Sequence, residues 1–297
     1  MIERVMVIGP GRVGLALGHA LSQADAVRHL VYCGRRPEPP SHPLFVQGVA
    51  EYHFGLMAPP LGTEAVLLTL PDRVLPEMAH ALAGQGRPAP DTVVMHTSGS
   101  LNTDVLAPLH AAGYAVGSIH PLQTISHPVT GAERLRGAHF AVTGEAPARR
   151  WGRTLARELD GRVLEVPVAR RPLYHAAAVL ASNGVSALLT LAAEIMMRSG
   201  VEPDEVPEAI AALARASLDD GFGDHLNPGF TGPALRGEAE AVGLHLRALE
   251  GDAREVYRAL SGVLADLAER RGLPQERADA IRSLLHPPRG GSPEEAT

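Results

Sequence analysis

The chain has 297 residues, 45% hydrophobic and 20% charged, enough for two domains with ordinary buried cores. Its 27 Lys and Arg positions are all arginine. The absence of lysine excludes Schiff-base chemistry, a P-loop with its Gly-Lys-Ser/Thr, and an ammonium general acid. A formal net charge of −6 argues against nucleic acid as a partner, since phosphate binding needs a basic stripe; the Arg clusters at 149–157 and 170–171 read as solvated surface.

The N-terminus runs straight into a strand-like Val5-Met6-Val7-Ile8, so no signal peptide is expected. A single cysteine, Cys33, cannot form an internal disulfide, and both features suit a cytoplasmic location. Apolar runs at 4–8, 29–33, 65–70, 92–96, 115–119, 138–143 and 162–166 alternate with helical stretches, as in a parallel sheet covered by helices. Between the first two, Val13, Leu17, Ala20, Leu21 and Ala24 recur at helical spacing. Pro- and Gly-rich loops fall at 37–43, 58–62 and 84–90.

From residue 168 the pattern changes to helices at 170–198, 203–218, 232–249, 252–271 and 274–285. The expected organisation is a doubly wound α/β domain over 1–167, an all-α domain over 168–286, and a disordered tail at 287–297. Residues 176–197 are apolar enough for a membrane span. Ser182, Asn183, Thr190 and Glu194 within them favour a buried core helix instead.

Gly9-Pro10-Gly11-Arg12-Val13-Gly14 is a G-x-G-x-x-G between a strand and a helix. Its glycines serve a tight turn, close backbone approach to a pyrophosphate, and helix–strand packing. The pyrophosphate would rest on free N–H groups at the positive end of the helix dipole. At the end of the second strand, where NAD sites offer a carboxylate, this chain has Cys33-Gly34-Arg35-Arg36. Two guanidiniums there suit a 2′-phosphate, and hence NADP rather than NAD. Leu70 and Pro71, at the end of the 65–70 run, are further cofactor contacts.

Polar clusters end two strands: His96-Thr97-Ser98-Gly99-Ser100 and Ile119-His120-Pro121-Leu122-Gln123-Thr124. Hydride transfer at a carbinol carbon needs a group that moves the hydroxyl proton near neutral pH, and histidine does this without heavy tuning. On the long helix, Tyr174 precedes a face carrying His175, Ser182, Asn183 and Ser186. A substrate in an interdomain cleft could satisfy that polar stripe. Finally, Thr231-Gly-Pro-Ala-Leu-Arg236-Gly-Glu238 offers Arg236 as a bidentate partner for a substrate carboxylate.

In order, Gly9 to Gly14, His96 to Gly99, His120 to Thr124, Tyr174-His175 with Ser182-Asn183, and Gly232 to Glu238 with His245-Leu246 resemble a bacterial family of Rossmann-like proteins. Its members carry a C-terminal domain of unknown function and are described as NADP oxidoreductases. The resemblance implies a helical domain like the C-terminal one of 6-phosphogluconate dehydrogenase. Wider relatives are the β-hydroxyacid dehydrogenases, ketopantoate reductase, pyrroline-5-carboxylate reductase and prephenate dehydrogenase. Their long first helix often forms a dimer core, which implies a homodimer here.

The hydroxyacid and ketopantoate enzymes place a catalytic lysine one turn before an asparagine. This chain keeps Asn183 but has Val179 one turn earlier and His175 two turns earlier. Prephenate dehydrogenase resembles it more closely in chemistry, with a Ser at one strand end and a His-Pro at the next, as at Ser98 and His120-Pro121. In that group the histidine bonds the hydroxyl whose carbon gives up the hydride.

The resulting expectation is a cytoplasmic, homodimeric NADP-dependent oxidoreductase of a small hydroxy or keto acid, independent of nucleic acid, membrane and metal. Gly9, Pro10, Gly11, Arg12, Val13, Gly14, Arg35, Arg36, Leu70 and Pro71 would hold the cofactor. His120, oriented by Ser98, would move the proton, with His175 and Asn183 on the substrate side and Arg236, Gln123 and Ser182 binding substrate. Alternatives are a non-catalytic NADP-binding sensor and an imine reductase of the pyrroline-carboxylate kind, with a deazaflavin open as hydride partner. Proton transfer by His120 or His175 would make activity titrate between about pH 5 and 8.

Overall fold

A computed structural model describes residues 1–87, 89–221 and 231–286; the expected tail at 287–297 and one position of the 84–90 loop lie outside them. The chain forms two compact units, Met1–Ser182 and Asn183–Thr297.

In the first unit the strands are β1 (Ile2–Ile8), β2 (Val27–Gly34), β3 (Ala50–Phe54), β4 (Ala65–Leu68), β5 (Val93–His96), β6 (Ala115–Pro121), β7 (His139–Gly144) and β8 (Arg162–Leu164). They build one sheet in the order β3-β2-β1-β4-β5-β6-β7-β8, parallel throughout except between β6 and β7. Its first six strands follow the doubly wound dinucleotide-binding order, whose ligand crevice opens at the carboxyl ends beside β1 and β4. The unit's helices are α1 (Arg12–Gln23), α2 (Pro43–Val46), α3 (Leu75–Ala83), α4 (Ala107–Ala111), α5 (Pro128–Leu135), α6 (Ala146–Glu158) and α7 (Arg171–Val179).

Alternation along the strands explains the layers. Val5 and Val7 join Leu67 and Met95 in a core under α1, α5 and α6. Met6 and Ile8 join Val66, Leu68 and Val94 in a second core under α3 and α4. Strands buried on both faces must be apolar at every position, which is why they stand out in the sequence. β3 escapes that reading because it is an edge strand with no buried side chain and no apolar run.

The second unit contains α8 (Val185–Arg198), α9 (Val206–Gly221), α10 (Ala239–Ala248), α11 (Gly251–Arg270) and α12 (Gln275–Leu285), and no strand among the described residues. The single helix expected at 170–198 is α7, a π-helical turn at Leu180–Gly184, and α8. The helix expected from 232 starts at Ala239, after turns in which Gly232 and Gly237 have φ of 137° and 66°. Ala234, Val242, Leu246, Ala265, Ile281 and Leu285 form this unit's core.

The expectation of a buried core helix at 176–197 is corrected. The stretch Val168–Arg198 is long and apolar enough to cross a membrane, and none of its most apolar window is buried inside the chain. Leu180 is 71% exposed. The core residues of the second unit lie on and just before α10, and on α11 and α12, so they give this helix no cover.

Candidate functional site

β1 delivers the chain to Gly9, whose φ of 103° favours glycine. A Cβ there would lie 2.7 Å from Leu70 Cδ2 and 2.8 Å from the Thr69 carbonyl oxygen. At Gly14 a Cβ would strike Thr69 Oγ1 and stand 2.5 Å from the Gly9 carbonyl oxygen. Thr69 locks this turn, its hydroxyl donating to the Gly9 carbonyl at 2.6 Å. Thr69 is a site residue that the sequence reading passes over in favour of its neighbours Leu70 and Pro71.

Gly11 is the opposite case, because nothing lies within 4 Å of a Cβ built there. It is the N-cap of α1, with no side-chain cap and no acidic residue in the first turn. Exposed N–H groups, a positive helix end and open space fit a dinucleotide pyrophosphate. Pro10, Arg12 and Val13 complete the turn, Arg12 exposed and Val13 half-buried. Arg35 and Arg36 follow β2, both exposed and without ion pairs among the described residues. The Tyr52 hydroxyl fixes the loop by donating to the Arg36 carbonyl at 2.6 Å.

The second half of the site grows from strand register. His96 pairs with Ser118 and Ser118 with Thr143, so these three side chains share one face of the sheet. The period of two adds His120 at the carboxyl rim. His96, Ser118 and Thr143 are buried. Ser118 Oγ and Thr143 Oγ1 are 2.8 Å apart.

Arg171, in the first turn of α7, ties this row together. It donates to Thr143 Oγ1 at 3.1 Å and to the Ser98 carbonyl at 2.6 Å. The expectation that residues 170–171 are solvated holds for Arg170 and fails for Arg171, which is fully buried. Its charge is met by carbonyl and hydroxyl dipoles, with no bonded carboxylate among the described residues. Desolvation lowers its pKa, opposed by Tyr174.

His120 is oriented by Tyr174, whose Oη lies 2.9 Å from its Nδ1. That corrects the expected role of Ser98. The Ser98 hydroxyl accepts the N–H groups of Ser100 and Leu101 at 3.3 and 3.1 Å, and its own N–H donates to His96 Nδ1 at 3.2 Å. Ser98 therefore shapes the loop behind the histidine. Burial first, then the neighbouring His175 and Arg171, lower the His120 pKa to about 4. The expected His120 titration between pH 5 and 8 is thus replaced by an imidazole that stays neutral across that range.

His175 stands at right angles to His120, ring centroids 5.7 Å apart, and its Nδ1 is buried without a hydrogen-bond partner among the described residues. Both rings press on Gly99: a Cβ there would stand 2.8 Å from His120 Nε2 and strike His175 Nδ1. A cleft of about 260 Å³ joins the two halves of the site, lined by Val13 and Leu70 on the side of the glycine turn and by Asp72, Gly99, His120 and His175 on the other. Asp72 accepts the Ser100 hydroxyl at 2.8 Å. Pro71 is the N-cap of the short 3-10 turn that presents Asp72.

Other expected substrate contacts are engaged elsewhere. Gln123 lines the cleft, but its amide donates to the Arg134 carbonyl at 3.2 Å and accepts the Thr124 N–H at 2.9 Å. Ser182 donates to the Ala178 carbonyl at 2.7 Å within the π turn, and Asn183 follows it as the first residue of the second unit. Arg236 is corrected as a carboxylate anchor. Its Nε and Nη2 bond the two Glu238 oxygens at 2.7 and 2.9 Å, and its Nη1 bonds Thr231 at 3.0 Å. Among the described residues no group of three His, Cys, Asp or Glu could hold a metal ion.

Residues 3–121 match the Rossmann-like domain, and residues 138–263 match a domain of unknown function, DUF2520. Protein TM1727 from Thermotoga maritima superposes with a TM-score of 0.68 at 22% identity, over 90% of this chain and 99% of its own. The "putative NADP oxidoreductase BF3122" from Bacteroides fragilis gives 0.66 at 22% identity, over 88% and 97%. Plasmodium falciparum pyrroline carboxylate reductase with NADP bound gives 0.57 at 10% identity, over 95% of each chain. At these identities the likeness is one of fold. No protein with a curated description matches. The glycine turn falls in the first match and α7 and α8 fall in the second, so the chain joins a Rossmann-like domain to a DUF2520 domain.

Proposed function

We propose that this chain is an NADP-dependent oxidoreductase acting on a small hydroxy or keto acid. The observation that carries the reading is the single cleft in which Val13 and Leu70, at the glycine turn, face His120, Gly99 and His175. Bound there, a nicotinamide dinucleotide would supply or accept the hydride. Gly9, Gly11 and Gly14 would admit its pyrophosphate, and Arg35 and Arg36 would take a 2′-phosphate, with no acidic residue at the end of β2 to repel it.

His120 would hold the substrate oxygen. A half-buried, neutral imidazole suits that task because it can donate a hydrogen bond without adding a second cation beside Arg171. The positive field of Arg171, close enough to lower the His120 pKa, favours an anionic substrate now that Arg236 is bonded to Glu238.

A second reading, reduction of an imine, is supported by the Ser98 hydroxyl already accepting two backbone N–H groups, which leaves His120 as the principal polar contact at the reacting centre. We also place the protein in the cytoplasm as a homodimer, its second copy covering the apolar length of α7 and α8. Sedimentation at micromolar concentration would report a dimer, and a monomer would remove that assignment.

Function is tested by comparing NADPH and NADH dissociation constants, then following NADPH oxidation with a panel of 2-keto acids and cyclic imines. Tighter NADPH binding with keto-acid turnover supports the reading, and turnover of imines alone supports the second. Tight NADPH binding with no turnover across the panel would make the protein a dinucleotide sensor.

A further inference from the structure

We propose that Tyr174 is a positioning residue that fixes the tautomer of His120 and resupplies its proton when a carbonyl is reduced. This rests on the oxidoreductase reading, but its first consequence can be measured without turnover. Tyr174 lies in the opening turns of α7, 54 residues beyond His120, with its hydroxyl 2.9 Å from Nδ1. The two rings meet edge to face, centroids 5.7 Å apart, so the bond has one approach.

A hydrogen bond between a phenol and a neutral imidazole can run either way, and the surroundings decide it. Burial keeps the phenol protonated, raising its pKa against the pull of Arg171. His120 is kept uncharged first by burial, then by His175, Arg171 and His96, with Asp72 alone favouring a proton on its ring. A phenol O–H is a stronger donor than an imidazole N–H, and an imidazole nitrogen is a stronger acceptor than a phenol oxygen, so the bond runs from Tyr174 to Nδ1 and Nε2 carries the ring's one hydrogen. Nε2 is the nitrogen that lies against Gly99 at the cleft. His120 therefore presents a donor to the substrate and has no lone pair there with which to take a proton.

That orientation gives the reduction a balanced path. As the hydride from the reduced nicotinamide reaches the carbonyl carbon, the π pair of the C=O bond moves onto oxygen. The oxygen takes the Nε2 proton, and the N–H electrons stay in the ring. The Tyr174 O–H proton passes to Nδ1, leaving the imidazole neutral with its hydrogen moved and Tyr174 as phenolate. The phenolate is stabilised by Arg171, a fully buried guanidinium three residues earlier on the same helix that bonds no carboxylate among the described residues. After product leaves, a proton from solvent enters at Nε2 through the cleft and the Nδ1 proton returns to the Tyr174 oxygen, which restores both the phenol and the starting tautomer. Alcohol oxidation runs the same path backwards from the phenolate.

The test uses the full chain labelled with 15N-histidine, His120 being assigned by difference from His120→Asn. Near neutral pH, Nδ1 is expected to show the shift of an unprotonated ring nitrogen and Nε2 that of a protonated one. Tyr174→Phe should turn this into a mixture of tautomers while leaving the NADPH dissociation constant unchanged. With a turned-over substrate, kcat should fall about 10- to 100-fold with little change in KM, the scale of losing part of an acid–base relay. Hydrogen on Nδ1 in the wild type, a tautomer unaltered by Tyr174→Phe, or an unchanged kcat would each overturn the proposal. An inactive protein with the expected tautomer shift would sink the oxidoreductase reading and leave the Tyr174 orientation standing.

Discussion

In the first unit the sheet is covered on both faces, and its buried polar groups lie beneath the cleft, Ser118, Thr143 and Arg171 in one bonded row and His96 beside Ser118 in register. In the second the core is small, and large apolar side chains such as Leu188, Met197, Leu213 and Leu218 remain exposed on α8 and α9. Apart from Leu173 and Leu180 on its last helical stretch, the first unit covers most of the apolar surface of its sheet, and it concentrates buried polarity where chemistry would occur. The second leaves apolar surface for something else to cover. On this contrast, changes within the row and its rim should act on turnover and acid stability, and changes to polar residues of the second unit should act weakly.

The largest effect is expected from His120→Asn. The side chain would keep some polarity at the rim and lose the imidazole proposed to contact the reacting oxygen. Turnover should fall by about 10²- to 10⁴-fold, the usual contribution of a positioned acid–base group. NADPH affinity should hold, because the glycine turn is untouched. Steady-state kinetics and a binding titration check both halves, and an unchanged kcat would move the chemistry away from the rim of the first unit.

Acid stability comes next. His96 is fully buried, and its pKa is lowered to about 4, chiefly by desolvation and then by Arg171. Free histidine titrates near about 6.5, so between these values the unfolded chain binds the proton more readily than the folded one. Stability should be complete above about pH 6.5 and decline toward pH 4, by roughly 3 kcal/mol from His96 alone. Urea unfolding at several pH values would show the slope, and His96→Gln should flatten it. A slope unchanged in that variant would mean the row is not the acid-labile part of the first unit.

Two glycines of the cofactor turn should separate packing from binding. Gly14→Ala brings a methyl 2.5 Å from the Gly9 carbonyl oxygen, and such overpacking costs about 1–3 kcal/mol. Gly11→Ala meets nothing within 4 Å, so stability should change little while NADPH affinity falls. Thermal unfolding together with NADPH titration distinguishes them. Equal stability loss in both would mean the turn is held by conformation alone, not by close packing against Thr69.

The fold was legible because parallel strands buried on both faces leave unbroken apolar runs, and the glycine turn sits between the first of them and a periodic helix. β3 was not, being an edge strand of mixed polarity. At the site, the strand ends at His96 and His120 could be read from where apolar runs stop. The partner of His120 could not, since a hydroxyl on a helix 54 residues away leaves no local pattern. Arg171 was misread because adjacent arginines look like a solvated cluster, whereas the helix start turns one of them inward. Gly99, lying between two serines at a strand end, carried a signal that could have been used: a residue too close to its neighbours to bear a side chain.

The smallest effect is expected at Arg236, the residue that sequence logic makes a substrate anchor. Its guanidinium already holds both Glu238 oxygens and Thr231 in an exposed setting. Exposed pairs of this kind contribute little to stability, and a fork already filled has no free edge for another carboxylate. Arg236→Ala should therefore change KM for a keto acid by less than about threefold, the scale of a contact that substrate does not use. Glu238→Gln is the sharper companion, because it weakens the pair while keeping the guanidinium. If Arg236 were held in reserve for substrate, freeing it should lower KM, and Arg236→Ala should raise KM by tenfold or more, about 1.4 kcal/mol. Near-equal KM values in both variants would keep substrate recognition within the first unit.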